Sequence, residues 1–282
     1  MTILVTGASG CIGRAVLKAL VRRAVPVIAT ARKIPHDVPT NTSIRWIPHD
    51  LAQGAEVLLA QADTPETVIH LAWESLPQYH NPAHLEHELP RQKCFLTDLV
   101  NNGVQKLVVA GTCQEYGMQS GCLSETTTPS PTTPYAQAKH ALHAYLEVLQ
   151  KSHAFTLIWA RLFYVWGEGQ PDHTLYRQLY RAARQGKATF PMSGGEQQRD
   201  YLPLEQAAEM LTLLTQHPRA SGTYNICSGQ PVCIRDLVSS WISAHGWTIH
   251  PELGVYPYPD YEPMVFWGDP TRLNTLWGDA GG

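Results

Sequence analysis

An uncharged run, Thr2-Ile3-Leu4-Val5-Thr6, passes directly into Gly7, and glycine recurs at positions 10 and 13 as the chain enters CIGRAVLKALVRR. A mostly apolar strand that does not alternate with polar residues is one buried on both faces, as parallel sheets require. Ile12, Val16, Leu20 and Val21 fall on one side of the helix expected over residues 11–23. A buried strand, a turn of small residues and an amphipathic helix read as the opening of a βαβ unit whose helix N-terminus faces an anion. Gly7 permits the tight turn, Gly10 lets a pyrophosphate approach, and Gly13 lets the helix pack on the sheet, with Ser9, Cys11 and Ile12 completing the loop. The loop is read as a dinucleotide site.

The same alternation continues. Runs at 25–30, 67–71, 106–110 and 156–160 read as further buried strands, with helices over 85–102 and 135–151. The expected fold is α/β, a doubly wound parallel sheet of the Rossmann kind. After about residue 165 the chain turns to Gly- and Pro-rich loops, with helices near 174–186 and at 205–216. We therefore expect a dinucleotide-binding domain over 1–165 and a smaller substrate-binding lobe over 166–282, with part of 200–228 returning to the first domain.

Composition narrows the function. A net charge of −3 provides no basic field for nucleic acid, and no apolar run is long enough to span a membrane, so neither partner is expected. The first strand begins too early for a signal peptide, and a cytoplasmic location is expected. The six cysteines form no C-x-x-C pair and read as free thiols. His80, His84 and His87 cluster, but Pro82 and Pro90 are read as breaking the helix that would gather them, and no metal is expected.

An NAD site usually ends its second strand with an acid that receives the adenosine ribose. Here the strand ends in Thr30-Ala31-Arg32-Lys33, and Arg32 can meet a 2′-phosphate, so NADP(H) is favoured over NAD(H); the alternative is a pair of solvated cations. Asp50 can accept from the adenine amino group, and Leu51 can pack on the ring.

Tyr135 and Lys139 stand four apart in PYAQAK, on one face of a helix that begins at Pro134. A phenol is a poor proton shuttle at neutral pH unless a neighbouring cation stabilises the phenolate, which Lys139 and an oxidised nicotinamide can do. Thr112, in the loop after the strand at 106–110, is expected to share the same substrate oxygen.

These pieces together resemble an extended short-chain dehydrogenase/reductase of the nucleotide-sugar epimerase/dehydratase type. The matching stretches are TGASGCIG, HDL, HLAW at 70–73, GTCQEYG at 111–117, PYAQAK, ARLFYVWGEG at 160–169, RDYLPLEQAA at 199–208 and YNICSG at 224–229. The resemblance implies that Leu71 and Ala72 line the cofactor groove and that Thr112, Tyr135 and Lys139 are the catalytic triad, the last two also touching the cofactor. It implies that Arg199 reaches the diphosphate of a nucleotide-sugar substrate, with Gln114, Glu115, Tyr164 and Tyr201 as further substrate contacts. Helices like those at 85–102 and 135–151 pair subunits in this family, so a homodimer is implied.

Departures from the pattern select among reactions. Dehydratases of the family carry Asp-Glu after the catalytic Thr, whereas this chain has Cys113-Gln114, so dehydration is not expected. Tyr164 replaces an Asn and Trp166 a Tyr of the usual NVYG stretch. The remaining segments look most like bacterial reductases acting on dTDP-4-dehydro-6-deoxyglucose to give a dTDP-6-deoxyhexose such as dTDP-fucose for surface polysaccharide. The alternatives are a 4-epimerase that retains NAD, an epimerase-reductase using Cys113 and His173, and a non-catalytic cofactor-sensing regulator. The segment YPYPDYEPM is aromatic enough either to stack on a base or sugar or to pad the lobe.

Overall fold

The chain is described by a computed structural model covering residues 2–37, 41–62 and 64–279. Its first half runs β1 (Ile3–Thr6), α1 (Cys11–Arg22), β2 (Val27–Ala31), β3 (Ile44–Pro48), α2 (Glu56–Leu59), β4 (Thr67–His70), α3 (Leu89–Asn101), β5 (Lys106–Thr112), β6 (Gly121–Leu123) and α4 (Pro134–Leu149). There follow β7 (Thr156–Leu162), β8 (Tyr164–Trp166), α5 (Leu175–Arg184), β9 (Thr189–Pro191), β10 (Gln198–Pro203), α6 (Leu204–Gln216) and β11 (Gly222–Ile226). The chain ends with β12 (Pro231–Cys233), α7 (Ile234–His245), β13 (His250–Glu252), β14 (Phe266–Gly268) and α8 (Thr271–Asp279).

Seven parallel strands form the central sheet in the order β11-β7-β5-β4-β1-β2-β3. β1 pairs with β2 on one side and β4 on the other, so the direction of winding reverses there and opens a crevice beyond the strand ends, where ligands of such sheets bind. Helices cover both faces. Leu17 and Leu20 of α1 pack with Leu211 and Leu214 of α6 on one, and Phe95 and Leu99 of α3 with Leu142 and Leu146 of α4 on the other. β1, β2, β4, β5 and β7 are buried on both sides, which is why they read as continuous apolar runs, whereas the edge strand β3 is half-exposed.

The later chain divides its allegiance. α5, α7, β9 and the segment leading to β13 build a separate core around Tyr176, Leu179, Val238 and Trp241. Residues 204–226 return to the main sheet through α6 and β11, and Leu273 and Leu276 of α8 join the same core.

Pro90 does not break the helix. It occupies the first turn of α3, where an N–H has no partner to lose, and the preceding turn over His84–Glu88 is a π-turn. Among the described residues, no helix is long and apolar enough to cross a membrane.

Candidate active site

The glycine loop joins β1 to α1 at the sheet's reversal point. Gly7 has φ +64°, and a Cβ there would stand 2.8 Å from Ala72 N and 2.9 Å from the Leu71 carbonyl carbon. Only glycine suits both the conformation and the approach. Gly10 caps α1 with no side chain over its first amides, leaving them directed outward for a phosphate. Thr6 Oγ1 ties the opposite wall, accepting from Leu71 N at 3.2 Å and Ala72 N at 3.3 Å.

Gly7, Ser9, Gly10, Arg32, Asp50, Leu51, Leu71 and Ala72 line one groove of about 230 Å³. The glycine turn and the uncapped start of α1 fit the diphosphate of a dinucleotide. Ile12 faces the adjoining larger cleft instead, and the Cys11 thiol is pushed up by burial, so it carries no charge into the groove at neutral pH. One oxygen of Asp50 is already used, accepting from Ala52 N at 2.9 Å. Arg32 does not stand as a free cation: its Nη1 lies 2.9 Å from Glu74.

Of the three side chains expected to act together, Thr112 and Tyr135 line the larger cleft and Lys139 is buried behind it. Thr112 ends β5, and Tyr135 and Lys139 lie four apart on α4, which Thr133 caps by accepting from Ala136 N at 3.2 Å. Thr112 Oγ1 accepts from Gln114 N at 3.3 Å, and Thr112 and Tyr135 line the same cleft. Lys139 is buried, donates to Ala110 O at 2.7 Å, and sits 3.9 Å from the centre of the Trp73 ring. Burial lowers its ammonium to about 7, against the attraction of Glu115 and Glu88.

One expectation is corrected here. Tyr135 is not lowered by Lys139; burial, then Tyr79, raises it well above the ordinary phenol value, and nearby Thr112 offsets this in part. The reason is directional, since Lys139 turns to Ala110 and Trp73. Tyr135 is therefore protonated at neutral pH in the cofactor-free chain, as an unperturbed tyrosine also is.

The cleft is about 530 Å³ and is lined by Thr112, Cys113, Gln114, Tyr135, Tyr164 and Tyr201 among others. Tyr164 and Tyr201 stack with ring centres 5.1 Å apart. Glu115 does not face it. Its fully buried carboxylate accepts from Thr112 N at 2.9 Å, from Trp159 Nε1 at 2.9 Å and from Arg161 Nε at 3.1 Å, closing the turn that follows β5. Arg199 lines a neighbouring cavity of about 260 Å³ with Tyr164, Tyr201 and Glu262. Its guanidinium is 3.3 Å from Glu262 and donates to Gln198 O and Met264 O. Cys113 and His173 line the same cleft, yet burial pushes the Cys113 thiol far up, with nearby Glu262 adding to the effect.

The sequence profile of the NAD dependent epimerase/dehydratase family matches residues 3–227. The chain belongs to that family. The dTDP-6-deoxy-L-talose 4-dehydrogenase (NAD(+)) of Aggregatibacter actinomycetemcomitans is 30% identical over 275 residues, covering 95% of this chain and 99% of that protein. The dTDP-4-dehydro-6-deoxyglucose reductase of Escherichia coli is 22% identical over 257 residues, covering 84% of this chain and 80% of that protein. A solved structure of MoeE5 in complex with UDP-glucuronic acid and NAD superposes with a TM-score of 0.83 at 26% identity, over 99% of this chain and 93% of that one.

Four residues of this epimerase/dehydratase family member escaped the sequence reading. Trp73 lies against both Lys139 and Tyr135, its ring 5.9 Å from that of Tyr135. Tyr79 packs on Tyr135 with ring centres 5.5 Å apart. Glu74 pairs with Arg32, and Glu262 accepts from Tyr164 and pairs with Arg199. The signal for Glu262 was present in YPYPDYEPM, where an acid stands among the aromatics. The histidine cluster separates: His84 accepts from Trp73 Nε1 at 3.1 Å and bonds Gln78 O through its other nitrogen at 3.0 Å. Glu115, His140 and His143 come closest to a metal-like group among the described residues, but Arg161 already supplies the counter-charge there.

Proposed function

We propose that this chain reduces the C4 ketone of a nucleotide-linked 4-dehydro-6-deoxyhexose to the alcohol, with a dTDP-sugar as the substrate. The observation that carries the reading is that Thr112 and Tyr135 line one cleft, with Lys139 buried one helical turn away. Both curated relatives described above are named for the C4 position of a dTDP-linked 6-deoxyhexose, one in the oxidative and one in the reductive direction.

A bound reduced nicotinamide supplies the hydride that reaches C4. Thr112 donates to the carbonyl oxygen and holds it beside Tyr135, whose phenol gives its proton as the alkoxide develops. Lys139 would hold the nicotinamide ribose after exchanging the Ala110 carbonyl for it. Tyr164 and Tyr201 provide flat surfaces for the sugar or base, and Arg199 meets the diphosphate after exchanging Glu262 for it. Such a step suits the supply of a deoxysugar donor for surface polysaccharide. The chain pairs as a homodimer through α3 and α4, as the family resemblance implies.

Two features bear on the cofactor in opposite senses. Arg32 supports NADP(H) by its charge, whereas its ion pair with Glu74 supports NAD(H) by cancelling that charge.

A second reading is favoured by one observation, that Cys113 and His173 share the cleft: an epimerase-reductase in which they exchange protons beside the C4 ketone. The test mixes purified protein, reduced cofactor and fresh dTDP-4-dehydro-6-deoxyglucose in deuterium oxide. Stoichiometric loss of reduced-nicotinamide absorbance, reduced at least about a hundredfold by Tyr135→Phe and with no deuterium on ring carbons, is the expected result. Deuterium at C3 or C5 would select the second reading.

A further inference from the structure

The acid missing from the end of β2 has a counterpart in space. Glu74, on the loop after β4, brings its Oε1 to 2.9 Å from Arg32 Nη1 and 3.0 Å from Arg91 Nη1. Arg91 comes from α3, so two guanidinium groups from different elements converge on one carboxylate oxygen. The main-chain N–H of Glu74 donates to Glu88 Oε1 at 3.2 Å, and Arg91 lies 3.5 Å from Glu88 Oε2. The carboxylate is thereby held from several sides. Arg32, Glu74 and Arg91 line the same groove as Gly10, Asp50 and Ala72.

Charge decides what such an arrangement can receive. Two arginines and two glutamates cancel, so the cluster offers no net positive charge to a phosphate dianion. A 2′-phosphate would require Arg32 to leave Glu74 and would lie beside a like-charged carboxylate. A ribose diol has no such difficulty. Glu74 Oε2 accepts no hydrogen bond among the described residues, and a carboxylate oxygen is a strong acceptor for a hydroxyl.

We infer that Glu74 is the acceptor for the adenosine ribose hydroxyls, and that it makes the groove select NAD(H) over NADP(H), replacing the NADP(H) preference expected from Arg32 alone. The inference rests on the reading that the groove binds a nicotinamide dinucleotide. Arg32 and Arg91 become positioning residues for Glu74, and Glu74 is the side chain that discriminates.

Isothermal titration calorimetry of the full chain with NADH and with NADPH tests this without reference to turnover. The wild type should bind NADH at least about tenfold more tightly than NADPH. Glu74→Gln should weaken NADH by about tenfold and tighten NADPH, because two guanidinium groups are released from their carboxylate. Adding Arg32→Asp to Glu74→Gln returns an acid to the end of β2 and should restore NADH binding. A wild type that prefers NADPH overturns the inference whatever the variants do, as does a folded Glu74→Gln with an unchanged ratio. Binding of neither dinucleotide would instead overturn the reading of the groove itself.

Discussion

The ammonium of Lys139 lies 3.9 Å from the centre of the Trp73 ring while donating to Ala110 O at 2.7 Å. A buried cation is costly unless partnered, and these two groups hold it between the glycine loop's wall and α4. Burial still lowers Lys139 from 10.5 to about 7 in the folded chain. Between those values the unfolded chain binds the extra proton, so this group makes stability rise with pH across that window. Lys139→Met should therefore unfold at higher urea than wild type at pH 6 and lose part of the alkaline rise. The limiting slope removed is about 1.4 kcal/mol per pH unit. Urea titrations of cofactor-free protein at several pH values between 6 and 10 check it, and turnover should fall at least about a hundredfold.

Glu115 makes a different prediction from the substrate contact it resembles in sequence. Its carboxylate holds Arg161 at 3.1 Å and the Thr112 main chain at 2.9 Å, all buried. Glu115→Gln leaves Arg161 without its counter-charge, and breaking such a pair costs about 3–5 kcal/mol. Melting temperature should drop by several degrees, with KM for the sugar nucleotide changed less than about threefold in the surviving fold. A large KM change at unaltered stability would place Glu115 in the cleft.

Acid should destabilise the protein through two buried imidazoles. His70 and His143 are each lowered by burial from 6.5 to about 3. The unfolded chain takes up protons below 6.5 that the folded chain refuses until near 3, so stability is lost as pH falls through that range. Each histidine contributes at most about 1.4 kcal/mol per pH unit. His143 stacks on Trp159 at 4.6 Å, so His143→Phe should retain the packing and flatten the acid limb in denaturation experiments at pH 4–6.

A methyl group at Gly13 would run into Gly7 O and the Ala8 backbone. Gly13→Ala should move the loop and weaken dinucleotide binding by at least about tenfold in titration calorimetry, with far-ultraviolet circular dichroism nearly unchanged.

The parts legible in the sequence were those whose partners are near in the chain. TGASGCIG carries its strand, turn and helix within a dozen residues, and Tyr135 and Lys139 declare one helical face by their spacing. Continuous apolar runs gave away the buried strands for the same reason. The direction of a turn is harder: GTCQEYG does not say that Glu115 closes back on Trp159 and Arg161, more than 40 residues later. Nor does Arg32 announce Glu74, which β3 and β4 bring across the groove, or Arg199 announce Glu262. Charge was readable, but its neutralisation by a distant residue was not. Trp73 stands in HLAW with no local sign of its role, because its contacts come from α4.

The central claim concerns a hydride delivered to C4, and isotope transfer reads that event directly. Reduced cofactor carrying deuterium at nicotinamide C4 is incubated with the protein and dTDP-4-dehydro-6-deoxyglucose, and the sugar product is examined by NMR. One deuterium at sugar C4, absent with Tyr135→Phe, is the predicted result. A product without deuterium, formed while tightly held NAD is recovered only on denaturation, would contradict the reductase and indicate an epimerase.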